Sequence, residues 1–165
     1  MSLSNSFLPY YSDNIIVPFS SAYTYKFRSD DFNIPLAPGV WRIVDGANTP
    51  IIIDNFVSAI PAPSTLTYTA LQSGLFNIIY NIDGSMLSAP QKLTFGIFIN
   101  GGPLPVPNSL QIITFDISTD TPSPVTGTSI VNLNSGDTIA LYVLCDESDT
   151  IINKTMNLSV YSLNV

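Results

Sequence analysis

Three stretches of the sequence, GLFNIIY at residues 74–80, LTFGIFING at residues 93–101 and TGTSIVNLNSGD at residues 126–137, decide the fold. Each is rich in β-branched and aromatic residues and begins or ends with Gly, Asn or Asp, the residues that favour turns. Apolar and polar residues alternate through much of each run, which is the period of a half-buried strand. The three stretches therefore predict successive β-strands separated by tight turns.

The rest of the chain continues this pattern. No segment carries an apolar stripe with helical spacing, and the 13 prolines would break most helices of useful length. Together these patterns predict an all-β, antiparallel sandwich of two sheets with about ten strands. The predicted strands are residues 14–18, 22–28, 40–44, 51–56, 65–69, 75–82, 92–99, 110–117, 129–133, 138–145 and 156–163.

Several turns and connectors follow from the same signals. The sequence DGANTP at residues 45–50 predicts a hairpin between the strands at 40–44 and 51–56, with Trp41 in the core. Asp83 and Gly84 predict a turn, residues 58–64 a connector, and residues 103–107, with three prolines, a stiff extended link. Gly136 precedes Asp137 in a turn that needs a positive φ.

The length predicts one domain. A chain of 165 residues can bury about two thirds of its unfolded surface in one core and is short for two domains. Residues 1–13 predict an N-terminal arm, either disordered or laid along a neighbouring subunit, and residues 14–165 predict the sandwich domain.

The charge balance limits the partners. Charged residues make up 10% of the chain, against about 25% in an average domain, so we expect part of the surface to be buried against another subunit. The net charge is -7 and the five Lys and Arg residues are scattered. Because neither phosphate neutralisation nor a polybasic patch is available, we expect no binding to nucleic acid or to anionic membranes.

The sequence carries no membrane or secretion signal that we recognise. No apolar run approaches the length of a transmembrane helix, so we expect no membrane insertion. The N-terminus lacks the basic start and apolar core of a signal peptide, so we expect no classical secretion.

The residue types argue against catalysis. There is no histidine, which removes the usual general base and the commonest zinc ligand. The single cysteine, Cys145, lies in an apolar run and is interpreted as a packed small hydrophobe. The acids fall mainly at strand ends and in turns, where solvated turn residues are the simpler interpretation than a catalytic carboxylate pair. We therefore expect no enzyme and no required cofactor.

One dense acidic loop is a candidate calcium site. Asp146, Glu147 and Asp149 offer oxygen ligands on a short loop, which suits calcium, although the spacing is not that of an EF-hand. The alternative is that these are solvated turn acids.

From about residue 65 onward, the order of motifs resembles the tumour-necrosis-factor-like jelly roll. This superfamily includes the globular heads of complement and collagen-like proteins and related heads on viruses and spore coats. The resemblance rests on a Gly-aromatic strand at residues 74–80, a strand ending in Asn100-Gly101, a Leu-x-x-Gly-Asp turn at residues 133–137, the apolar strand that follows it and a terminal Leu-x-Val strand at residues 158–160.

The resemblance implies a compact homotrimer in which aromatic and aliphatic residues of one sheet pack around a threefold axis. An ordinary intrachain core is the alternative for about half of the candidate residues, and the sequence leaves open which half. The interface candidates are Phe76, Ile78, Tyr80, Phe95, Ile97, Tyr142 and Tyr161.

Three functions fit these expectations. The first is a trimeric head on a virion or spore surface that assembles and recognises a host or partner. The second is a single-jelly-roll building block of a virus capsid or vertex, contacting other virion proteins. The third is a lectin-like or cytokine-like module that binds a glycan or a receptor through its loops. The expected location is a virion or extracellular surface.

Overall fold

A computed structural model describes residues 21–44, 51–54, 59–61, 67–70, 73–117 and 123–163 of the chain. The arm predicted at residues 1–13 and the strand predicted at residues 14–18 lie outside the described residues. No helix in the described part is long and apolar enough to cross a membrane.

Eleven strands and one short 3-10 helix, Pro107–Ser109, form the described part of the chain. The strands are β1 (Ser21–Leu36), β2 (Arg42–Ile43), β3 (Ile51–Asp54), β4 (Ala59–Pro61), β5 (Thr67–Ala70), β6 (Gly74–Met86), β7 (Gln91–Ile99), β8 (Gln111–Phe115), β9 (Ser123–Leu133), β10 (Thr138–Cys145) and β11 (Asp149–Ser162).

The strands form two antiparallel sheets. The five-stranded sheet has the order β3-β1-β11-β6-β9. The six-stranded sheet has the order β4-β5-β10-β7-β8, and β2 also pairs with β10. Successive strands often fall in different sheets, as in a jelly roll, and the all-β sandwich prediction is confirmed.

The core lies between the two sheets and is built from alternate residues of the strands. In β9 the burial alternates without interruption from Val125 to Leu133, as a strand with one covered face requires. Phe95 and Phe115 from the six-stranded sheet pack with their ring centroids 5.7 Å apart. Cys145 is buried among these residues, which confirms its interpretation as a packed small hydrophobe.

Two buried tyrosines join the core to backbone carbonyls. The Tyr68 hydroxyl, on β5, donates to the carbonyl of Leu158 on β11 at 2.6 Å and so links the two sheets. The Tyr80 hydroxyl, on β6, donates to the carbonyl of Ser109 at 2.9 Å. Because a buried hydroxyl without a partner is costly, these bonds allow two large polar-tipped rings to pack inside the sandwich.

The predicted hairpin at residues 40–56 is wrong. Residues Arg42 and Ile43 pair with β10 in the six-stranded sheet, whereas β3 pairs with β1 in the five-stranded sheet. The two strands therefore belong to opposite layers, because each finds its backbone partners in a strand far away in sequence. Trp41 is only partly buried and packs on the outer side of β7, not in the core between the sheets.

Two predicted boundaries also change. Asp83 and Gly84 do not form a turn: they lie within β6, which continues to Met86 because β11 pairs with it on one side and β9 on the other. The connector predicted at residues 58–64 contains the short strand β4, which pairs with β5.

The proline-rich link is held against its own sheet. The backbone amide of Val106 donates to the carbonyl of Ile97 at 2.8 Å. The backbone amide of Ile97 donates to the Ser109 Oγ, also at 2.8 Å. Residues 106–109 therefore run beside β7, where β8 has not yet begun, and they close the edge of the sandwich.

Candidate assembly surface

The two turn motifs behind the predicted fold meet in space. The Asn100 side-chain amide donates to the Asp137 carboxylate at 2.7 Å, and its oxygen accepts from the backbone amide of Thr138 at 2.7 Å. The Asp137 carboxylate also accepts from the backbone amide of Asn134 at 2.8 Å. The two hydrogen bonds to the carboxylate hold the pKa of Asp137 below its ordinary value. The bond from the Asn100 side chain has the larger effect.

Positive φ angles explain the residue types in both turns. Gly136 has a φ of 92°, which confirms the predicted turn. Asn100 and Gly101 have φ angles of 54° and 59°, a pair of left-handed residues that Asn-Gly adopts readily. The turn after β7 and the turn before β10 are thus locked together at one end of the six-stranded sheet.

The seven predicted interface residues separate into two groups. Phe76, Ile78, Tyr80, Phe95 and Ile97 have no exposed surface and belong to the intrachain core. Their side chains point between the sheets, so they have no surface to offer a second subunit. For these five, the structure supports the intrachain alternative.

The two remaining candidates lie on opposite sides of the sandwich. Tyr161 is half-buried on the outer face of the five-stranded sheet, and Tyr142 is half-buried on the outer face of the six-stranded sheet. One threefold contact made by one sheet face can therefore include only one of them.

The outer face of the five-stranded sheet has a polar middle. The Thr126 hydroxyl donates to the Asn81 side-chain oxygen at 2.6 Å, and the Thr128 hydroxyl donates to that of Asn77 at 3.1 Å. These cross-strand pairs use uncharged groups whose hydrogen bonds are made within the face itself. Such a surface can be covered by another chain at a lower desolvation cost than a charged one.

One end of this face is apolar. Ile130, Asn77 and Tyr161 lie side by side on β9, β6 and β11. Leu75 lies one outward position along β6, and its carbonyl accepts a hydrogen bond from the amide of Leu163 at 2.7 Å. Ile130 is 59% exposed and Leu75 48% exposed. We call Leu75, Ile130, Tyr161 and Leu163 the apolar end.

Sequence reasoning missed Ile130 and Leu75. The signal was present in the alternation: Ile130 falls in the outward phase of β9 with Thr126, Thr128 and Asn132. An apolar side chain in the solvent phase of a strand marks a surface that another group can cover.

The outer face of the six-stranded sheet is partly covered by the chain itself. The Phe98 ring packs against Trp41 with centroids 5.0 Å apart and against Tyr142 at 4.4 Å. A side chain at Gly96 would meet Leu110 and Pro105, each 3.0 Å from the Cβ position. Tyr142 therefore belongs to an aromatic cluster that the link at residues 103–110 already shields in part. Ile112, on β8 of this face, is 60% exposed.

The candidate calcium ligands do not converge. Asp149 accepts from the backbone amides of Ala89 at 3.2 Å and Thr150 at 2.7 Å. Glu147 accepts from the Gln91 side chain at 3.4 Å. In the part of the chain that the structure describes, no three acidic or cysteine side chains are grouped as a metal site would require. A calcium role for Asp146, Glu147 and Asp149 stays an untested prediction, and this geometry does not favour it.

Comparison with known proteins reveals similarity in structure. Neither protein-family models nor curated protein sequences match the chain. The globular domain of zebrafish complement 1qA is 10% identical with a TM-score of 0.56, covering 88% of this chain and 98% of that domain. Murine APRIL at pH 8.0 is 9% identical with a TM-score of 0.56, covering 88% and 99%. The PRD1 vertex protein P5 is 13% identical with a TM-score of 0.56, covering 88% and 97%.

The similarity spans nearly the whole of each compared chain. Because 88% of this chain is covered, the similarity extends beyond the roughly 100 residues that carry the sequence motifs. At these identities it establishes the fold alone. The chain has the tumour-necrosis-factor-like jelly-roll fold.

Proposed function

We propose that this protein is a non-enzymatic structural head on a virion or spore surface, which assembles as a homotrimer and mediates attachment or recognition of a partner. The proposed trimer contact is the outer face of the five-stranded sheet, centred on Tyr161 and the apolar end. Other virion or surface proteins, a host receptor or a glycan are the proposed partners, and no cofactor is required.

The apolar end is the observation that carries this proposal. Leu75 and Ile130 each leave about half of a large aliphatic side chain in water, next to the half-buried Tyr161. Full burial of such a side chain is worth about 1.5–3 kcal/mol, so three copies brought together around an axis would gain appreciably. Exposed apolar groups that adjoin one another are typical of interaction surfaces.

The sequence around the apolar end supports the same contact. Residues 74–82 of β6, 125–133 of β9 and 156–162 of β11 contain no charged residue. The centres of protein interfaces are depleted in charged residues, because burying an unpaired charge is costly. The fold likeness to the vertex protein P5 is compatible with a virion role.

A charge placed at Ile130 should disrupt the trimer contact. We expect the native protein to have a trimer mass by light scattering and Ile130→Asp to have a monomer mass, because the substitution would place carboxylates against one another in the contact. The fold of Ile130→Asp should be retained, since the side chain projects from the sheet. Near-ultraviolet circular dichroism would check the fold.

Ile112→Asp is the matched control, because Ile112 is as exposed as Ile130 but lies on the other sheet. It should keep the trimer mass. A native monomer would contradict the trimer, and dissociation by Ile112→Asp but not by Ile130→Asp would move the contact to the opposite face.

Two alternative functions make different predictions. A capsid or vertex building block, which the likeness to P5 also favours, would remain monomeric until other virion proteins are added. A lectin-like or cytokine-like module would bind an isolated glycan on an array or a receptor ectodomain.

A further inference from the structure

The chain enters the sandwich beside the apolar end. Ser21, the first residue of β1, pairs with Tyr161 on β11, and Tyr161 in turn pairs with Asn77 on β6. Asn77 pairs with Ile130 on β9. Four neighbouring strands thus place the point where residues 1–20 join the sheet in the same row as the exposed Ile130.

The residues before Ser21 resemble this surface in chemistry. Residues 1–20 include Leu3, Phe7, Leu8, Ile15 and Ile16, with Asp13 as the one charged side chain. A segment of this composition gains free energy when its apolar groups are covered, and it brings almost no charge that would have to be desolvated. Fully extended, twenty residues reach about 65 Å, which is enough to cross from one subunit to the next.

The start of β1 places residues 1–20 within reach of a neighbouring subunit. β1 runs from Ser21 at the apolar end to Leu36, so the residues before Ser21 join the sheet at that end. In a trimer joined through the apolar ends, the apolar end of the next subunit lies beside this junction. A segment that leaves the sheet here can therefore reach the next subunit.

We propose that residues 1–20 of each subunit cover the apolar end of a neighbouring subunit, so that exchanged N-terminal segments form part of the trimer contact. This inference rests on the proposed function and identifies which part of the chain completes that contact. The occupant of the surface is a second copy's N-terminal segment, and the surface it covers is Leu75, Ile130, Tyr161 and Leu163.

Cysteine cross-linking tests the exchange directly, because the natural Cys145 is buried. A Phe7→Cys chain and an affinity-tagged Ile130→Cys chain are mixed unfolded, refolded together and oxidised. We expect a disulfide-linked pair containing one chain of each kind on a non-reducing gel. Only contact between different chains can form this product.

The matched control replaces Ile130→Cys with Ile112→Cys, whose exposure differs by one percentage point (60% against 59%). The product with Ile130→Cys should exceed that with Ile112→Cys by about tenfold, the ratio expected for a free-energy preference of one large apolar contact. Equal yields would overturn the inference. So would a doubly substituted Phe7→Cys, Ile130→Cys chain that links only within itself.

Deletion of residues 1–12 separates this inference from the proposed function. The shortened chain should keep its fold, and its trimer should dissociate at a protein concentration about tenfold higher than that of the full chain. An unchanged dissociation concentration would overturn the segment exchange while leaving the trimer in place. A full-length protein that is itself monomeric would overturn the proposed function instead.

Discussion

Tyr80 and Gly127 form one structural unit at the scale of single residues. They are direct partners on β6 and β9, and a side chain on Gly127 would overlap the Tyr80 ring. The glycine therefore lets the ring lie flat across the neighbouring strand and reach the carbonyl of Ser109. Gly127 is therefore required for packing against Tyr80 within the sheet, and not for a turn.

Burial raises the pKa of the Tyr80 hydroxyl above its ordinary value of 10.0. The folded state therefore keeps a proton that the unfolded chain releases above about pH 10, and stability is full below that pH and falls as pH rises further. We expect Tyr80→Phe to cost about 1 kcal/mol at neutral pH through loss of the bond to Ser109.

The same substitution should reduce the loss of stability between about pH 9 and pH 11, measured by urea unfolding at each pH. Equal alkaline losses in Tyr80→Phe and the native protein would contradict this account. A neutral-pH stability unchanged by the substitution would contradict the hydrogen bond.

Asn100 controls the ionisation of Asp137. Because the Asn100 amide is the leading cause of the lowered pKa of Asp137, we expect Asn100→Ala to raise that pKa toward its ordinary value, measured by NMR titration of the Asp137 carboxyl. A lowered pKa gives stability that is present above about pH 4, the ordinary Asp value, and is lost as pH falls through the folded pKa. Asn100→Ala should therefore weaken the acid dependence of stability.

Asn132→Ala, on the exposed face of β9, is the control and should leave the Asp137 titration unchanged. If Asn100→Ala also leaves it unchanged, the Asn100 amide is not what holds the carboxylate ionised.

At the scale of strands and turns, two glycines are required for different reasons. Gly136 has a φ of 92° and open space around its Cβ position, so backbone conformation, and not crowding, favours glycine there. Gly84 lies within β6, where a Cβ would sit 3.0 Å from the Ile152 carbonyl and 3.1 Å from the Phe115 ring. Its requirement is close packing at the point where β11 has a register irregularity.

The two causes predict different effects of substitution on stability. Gly136→Val should destabilise the fold more than Gly136→Asn, because Asn accepts positive φ and a β-branched residue does not. Gly84→Ala should already cost about 1–3 kcal/mol through crowding of the strand. Thermal unfolding of the three variants, with Asn132→Val as an exposed-strand control, measures both effects.

Equal costs for Gly136→Val and Gly136→Asn would contradict the conformational explanation. A neutral Gly84→Ala would show that the neighbouring groups relax without loss.

The sequence predicted strand positions where apolar runs end at turn residues, but it did not predict which strands pair. The strand at 138–145 was predicted with its observed bounds, since its apolar run ends at turn residues on both sides. The hairpin at 40–56 failed because β2 and β3 pair with β10 and β1, and local turn chemistry cannot show such pairing. Ile130 and Tyr161 became a joint surface only once β6 lay between their strands.

At the scale of the whole molecule, the distribution of charged residues separates the proposed contact surface from the acidic loop at residues 146–149. Most of the surface that would meet a partner is uncharged. In the acidic loop, Glu147 and Asp149 have separate hydrogen-bond partners. We expect millimolar calcium to leave the melting temperature of the native protein unchanged, because its candidate ligands do not converge. A rise that Asp149→Asn abolishes would establish the calcium site.

The sequence by itself determined the all-β class, the turns at Asn100-Gly101 and Gly136-Asp137 and the scarcity of charge, because strand alternation and turn chemistry are properties of neighbouring residues. Only the tertiary structure decided which tyrosines are buried, which layer each early strand joins, and where the exposed apolar residues gather. The bonds from Asn100 to Asp137 and from Tyr68 to Leu158 join residues 37 and 90 positions apart. Contacts at such separations depend on how the sheets pack, and no local pattern encodes them.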